Sequence, residues 1–217
     1  MRHEYVPWKI NSKVKTMNPI LEKVVLSKKP NEYLTQGPNH CGVYSVKAVL
    51  SAFGLDVKDH PKEYHPNFFG RLTGLTLSKQ YLVDILKSYG LNARVGYAEN
   101  LSDQEKLDLL KTNLAEDKPV MVRIGNGYIL SNKHNPVLGK IVGHWITLWG
   151  YDNENQIFYV YDSGLLRKYW NKSIPIGNTT RTYQEILRDW NFGGFQLWYW
   201  FITRKNNMYV KVLANNL

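Results

Sequence analysis

Apolar positions in this chain recur with two periods, and polar punctuation divides them. From Cys41 onward, Val43, Val46, Val49, Leu50 and Phe53 approximate one helical stripe, and Gly54 is a stop signal. In "LSKQYLVDILKSYG" Leu82, Ile85, Leu86 and Tyr89 share a face, with Ser78 placed to cap the helix and Gly90 to end it. Ser102 and Glu105 have capping-box spacing ahead of a third helix, and Thr182 and Glu185 repeat that spacing ahead of a fourth. Strand-like runs are "KVVLS", "ARVGY", "PVMVRIG", "HWITLWGY", "QIFYVYD", "FQLWYWFIT" and "MYVKVL". Residues 56–76, with two Pro and two Gly, read as a long loop, and 126–143 as a Gly- and Asn-rich one.

The helical patterns come mostly first and the strongest strands later, joined in one place by the turn-prone "DNEN". That order predicts an α+β fold, with an N-terminal helical lobe packed on a mostly antiparallel sheet lobe. No linker composition separates the two parts, so residues 1–217 are expected to form a single domain.

Composition narrows the class. The chain has 217 residues, 43% hydrophobic and 21% charged, which suits a globular protein with a sizeable core. Seven Trp and 15 Tyr make that core aromatic. No apolar run approaches the roughly 18–20 residues of a membrane span. The opening residues lack a continuous apolar stretch of signal-peptide type, so the expected location is cytoplasmic or reached by a non-classical export route. The net charge of +10 favours attraction to acidic partners. There is no zinc-finger spacing and no RNP-type aromatic strand, so nucleic acid is not expected as a partner. A monomer is expected.

Cys41 is the only cysteine, and it stands where a helix should begin. A helix N-terminus and a nearby imidazolium both favour the thiolate, the reactive form of cysteine. Free amides of the first turn could also receive an oxyanion. Gly42 leaves an incoming carbonyl uncrowded, and the Gln36 amide could be a second donor. A nucleophile needs a base, and the base needs an orienting group. Of six His, His3 lies in the N-terminal segment, His60, His65 and His134 read as solvated loop residues, and His40 should diverge from its neighbour Cys41. His144 differs, because it opens the strongest strand. Asp162 closes the next strand, 18 residues later. An antiparallel hairpin would bring the two together, and the even separation puts them on one face. With the turn centred on Asn153, His144 would oppose Asp162, Ile146 would oppose Val160 and Leu148 would oppose Phe158. That register needs an odd loop or a bulge.

These segments, "QGPNHCGVYSVKAVL" and "GHWITLWGYDNENQIFYVYDSG", resemble the papain-like cysteine peptidase superfamily, and most of all its C39-like branch. The resemblance implies a papain-like fold and a cysteine peptidase or amidase acting on a peptide or protein substrate. It implies Cys41 as nucleophile, His144 as general base and acid, Asp162 as orienter and Gln36 as oxyanion donor, with no cofactor and no metal. Gln36 precedes Cys41 by five residues, whereas the family usually places its Gln six before; Asn39 is the substitute donor if the loop does not absorb the difference. The same triad would serve an acyltransferase of transglutaminase or phytochelatin-synthase type. An inactive binding module on the fold is a third reading, against which stands the retention of all four residues.

Overall fold

The computed structural model describes residues 21–76, 78, 80–128, 131–192 and 207–213. Its strands are β1 (Lys23–Val25), β2 (Ala93–Tyr97), β3 (Val120–Gly125), β4 (Gly143–Asp152), β5 (Ile157–Tyr161), β6 (Thr179–Thr182) and β7 (Met208–Val212). Its α-helices are α1 (Cys41–Ala52), α2 (Phe68–Thr73), α3 (Tyr81–Ser88), α4 (Asp103–Ala115), α5 (Pro136–Ile141) and α6 (Tyr183–Phe192). The strands form one antiparallel sheet in the order β2-β7-β3-β4-β5-β6, with β1 also paired to β4. The fold is α+β, as expected. The expected strand over 195–203 lies outside the described residues.

Local signals act where they were expected. Ser102 and Glu105 complete a capping box at α4. Thr182 and Glu185 make the same reciprocal bonds at α6. α1 begins at Cys41, but its single stripe is wrong: every residue from Cys41 to Ser51 is buried. The helix lies between α3 and β4 rather than on the surface, so even Lys47 is enclosed, with Nζ bonded to Asp56 Oδ2 and to the Lys58 carbonyl, both at 2.6 Å. α3 starts at Tyr81 with Gln80 as its cap residue, not at Ser78.

Two expected loops carry helices. In 56–76, Asn67 caps α2 through its side chain, and Gly74 ends that helix in the left-handed region. In 126–143, Asn135 caps α5, and Pro136 supplies a ready-made first position.

The β4–β5 hairpin departs from its expected register by three residues at the loop and by two beyond a bulge. Asp152 pairs with Ile157 across a four-residue loop, and Leu148 pairs with Val160, with a bulge between Leu148 and Gly150. Without the bulge, the register at the loop would set Asp162 opposite Thr147, on the face away from His144. The extra residue on β4 restores the face. Extended by one step, the Leu148–Val160 register sets Asp162 opposite Ile146, diagonal to His144. At Gly150 β1 runs so close that a Cβ would stand 2.3 Å from the Val24 carbonyl oxygen.

Candidate active site

Cys41 is the first residue of α1. The residue before it, His40, gives the helix no side-chain cap, because its ring turns away to His65, with Nδ1 3.2 Å from His65 Nε2. The first-turn N–H groups therefore keep their donor capacity at the sulfur's end of the helix. The Cys41 sulfur stands beside the His144 ring and the Trp145 backbone N–H, and both favour its charged form. His144 Nε2 lies 2.7 Å from Asp162 Oδ1, so Nδ1 is the ring nitrogen left for the sulfur. The structure thus brings Cys41, His144 and Asp162 together at one site.

Burial and charge oppose each other in all three groups, and charge prevails. Burial pushes the Cys41 thiol up, but the His144 bond and charge, the Trp145 N–H and the Arg123 guanidinium bring it below its ordinary value. Burial pulls the His144 imidazole down, but the Asp162 carboxylate and the Cys41 sulfur raise it to about 10. Burial pushes the Asp162 carboxyl up, but His144, Arg181 and the Gly164 N–H hold it at about 2. Each charged form stabilises its neighbour, so the site favours thiolate, imidazolium and carboxylate more than water does.

Asp162 is held on every side. Oδ1 also accepts the Gly164 N–H at 2.9 Å, and Oδ2 accepts Arg181 Nη2 at 3.2 Å. The Asn178 side chain bonds both the N–H and the C=O of Asp162, each at 2.9 Å. Arg181 comes from β6, a strand missed in the sequence, and its guanidinium lies 3.9 Å from the centre of the Tyr128 ring. The β-branched run "TTRT" ahead of the Thr182 capping box was the signal that marks it.

Gln36 and Cys41 line the same cleft, of about 270 Å³, with Asn39, Asn126, His144 and Gly164 among its other walls. Gln36 is tied to the residue after Asp162. Its N–H donates to the Ser163 carbonyl at 2.8 Å, and Ser163 Oγ donates to Gln36 Oε1 at 2.5 Å. Asn39, in the left-handed region at φ 65°, carries the short connection from Gln36 into α1. Gly42 has a different role from the one expected: a Cβ there would meet Leu82 Cδ2 at 2.9 Å, so it makes room for α3, not for a substrate.

Two of the other histidines are buried, and a third is half-buried. His40 and His65 are 3% and 1% exposed, because α2 and the 3-10 turn at Pro61–Tyr64 close over them. His65 Nδ1 reaches Tyr81 Oη at 2.8 Å. His134 Nε2 lies 3.1 Å from the buried Asp189 carboxylate. Only His60, which caps the 3-10 turn, is exposed among the described histidines. Among the described residues no cluster of three or more His, Cys, Asp or Glu could hold a metal, and no helix is long and apolar enough to cross a membrane.

The Peptidase_C39 like family matches residues 23–191 of the chain. Among solved structures, the chain is similar to one described as the crystal structure of a double glycine motif protease from AMS/PCAT transporter in complex with the leader peptide. The TM-score is 0.48 and the identity 13%, over 88% of this chain and 99% of that one. No curated protein matches the chain.

Proposed function

The chain belongs to the Peptidase_C39 like family, and on that premise we propose that it works as one domain, a cysteine peptidase that cleaves a peptide-type bond through a thioester on Cys41. The observation that carries this reading is the grouping of the Cys41 sulfur with the His144 ring, which Asp162 holds from behind, on the wall of an open cleft. The Cys41 thiolate attacks the substrate carbonyl carbon. A C–S bond forms and the carbonyl π pair moves onto oxygen. First-turn amides of α1 and the Gln36 carboxamide N–H donate to that oxyanion. The pair returns, the C–N bond breaks, and His144 gives its proton to the departing nitrogen. Neutral His144 then takes a proton from water as the water oxygen attacks the thioester. The C–S bond breaks, the carboxylic acid leaves, and thiolate and imidazolium are restored. Asp162 keeps the ring oriented and stabilises its charged form throughout.

The test is an acid-quenched reaction on a cleaved peptide, followed by mass spectrometry. The expected result is an acyl adduct on the Cys41 peptide that hydroxylamine removes. Turnover without that adduct, or an adduct elsewhere, overturns the nucleophile. Release that quickens with an added amine or thiol would assign the site to acyl transfer instead of hydrolysis.

A further inference from the structure

We infer that Ser163 is a positioning residue that aims the Gln36 carboxamide, holding Oε1 so that the N–H side faces the cleft. The inference rests on the proposed role of Gln36 as oxyanion donor and adds what makes that role workable. A carboxamide is nearly symmetric in shape, and only its hydrogen bonds distinguish the acceptor from the donor end. An aimed donor needs its other end fixed. Ser163 supplies this twice, with its carbonyl accepting the Gln36 backbone N–H and its hydroxyl donating to Oε1.

The surroundings make the tether necessary. Gly37, Pro38 and Asn39, between Gln36 and the catalytic helix, are all exposed, and Gly37 has open space where a Cβ would be. Gln36 is itself only half-buried. Left free, a Gln side chain loses rotamer freedom when it is ordered, and that cost would fall on the transition state. Ser163 is 1% exposed and directly follows Asp162, whose backbone Asn178 clamps. Orienter and oxyanion donor are thus referred to one rigid segment, 127 residues away from Gln36 in sequence. The length of the connection from Gln36 to Cys41 no longer sets the position of the donor. That accounts for a working placement at a five-residue spacing.

Two probes with different demands separate this role from support of the triad. Iodoacetamide is attacked at a saturated carbon and forms no oxyanion. p-Nitrophenyl acetate is attacked at a carbonyl and does. In Ser163→Ala, alkylation of Cys41 at pH 6 should stay within about two-fold of wild type, while the acylation burst with p-nitrophenyl acetate slows about ten-fold. Gln36→Ala should slow the burst by roughly 10²-fold, and Gln36→Ala/Ser163→Ala should be no slower than Gln36→Ala alone. A wild-type burst in Ser163→Ala beside a slow one in Gln36→Ala overturns the inference and leaves the Gln36 role standing. A wild-type burst in Gln36→Ala overturns the Gln36 role itself. Equal loss in both probes for Ser163→Ala would place its effect on Asp162, and the inference would fall.

Discussion

Two buried histidine sites flank the start of α1, and they are opposite in charge. On one side, His40 and His65 face each other and Tyr81. On the other, His144 lies between Asp162 and the Cys41 sulfur. Exposure is nearly equal, at 1% for His65 and 3% for His144. Burial pushes both imidazoles toward the neutral form. At His65 nothing opposes it, and the positive fields of His40 and Arg71 reinforce it, to about 4. At His144 one carboxylate and one sulfur reverse it, to about 10. Sequence proximity to the cysteine counts for nothing here: His40 adjoins Cys41 and faces away, whereas His144 is far off in sequence and stands beside its sulfur. A buried histidine carries charge where an anion is built beside it, and that anion separates the proposed reactive side of α1 from the structural side.

The sharpest way to break the comparison is to remove the sulfur. Cys41→Ala should abolish turnover and leave far-UV circular dichroism unchanged, because the thiol is small and its role chemical. An active Ala variant would remove the reactive side altogether.

Removing the carboxylate should make His144 resemble His65. Asp162→Asn keeps the shape and withdraws the charge, and kcat/KM should fall by roughly 10³–10⁴-fold. Alkylation of Cys41 at pH 6 should fall with it. A variant that alkylates at pH 6 like wild type would show that the sulfur is activated without the carboxylate.

In the intact protein the pH dependence should bracket the charged state. A free thiol is almost wholly protonated at pH 6, yet Cys41 should alkylate there at a rate within a few-fold of that at pH 8. Turnover should fall as pH rises through about 10, where His144 loses its proton, while alkylation does not. The folded state holds that proton more tightly than the unfolded chain, so its contribution to stability is fully present below about pH 6.5 and is lost as pH rises through about 10. An alkylation rate at pH 6 below a hundredth of that at pH 9 would contradict the ion pair.

The smallest effect concerns the other side. His65 is held neutral when folded, so the unfolded chain binds the extra proton between about pH 4 and 6.5. Its contribution to stability is present above pH 6.5 and lost as pH falls through about 4. His65→Phe should flatten the fall in Tm over that window by a few degrees and lower Tm at pH 7 by a few degrees, since His40 and Tyr81 lose a partner. Alkylation at pH 6 should not change. A loss of alkylation in this variant would tie the two sides together.

Much of the reactive side was legible along the chain, because its signals are local. A helix start at Cys41 follows from the apolar period, and the nearness of His144 and Asp162 follows from their places at the open end of one hairpin. The register was not legible, because a four-residue loop and a compensating bulge cannot be told in sequence from one odd loop. On the structural side His40 turns from Cys41 as expected, but His65 was misread. A Pro- and Gly-rich stretch looks like solvated loop until α2 and its neighbouring turn are seen to bury His65.

The sequence by itself determined where α4 and α6 begin, through the capping pairs Ser102 with Glu105 and Thr182 with Glu185. Those choices depend on backbone groups three or four residues apart, and no folding is needed to state them. Only the tertiary structure decided which ends meet. It set Arg181 against Asp162, Ser163 against Gln36 and the bulge that turns Asp162 toward His144. Gln36 and Ser163 have no local preference for one another. Their meeting is a by-product of burying β4, β5 and α1 in one core, and it exists only once that core has formed.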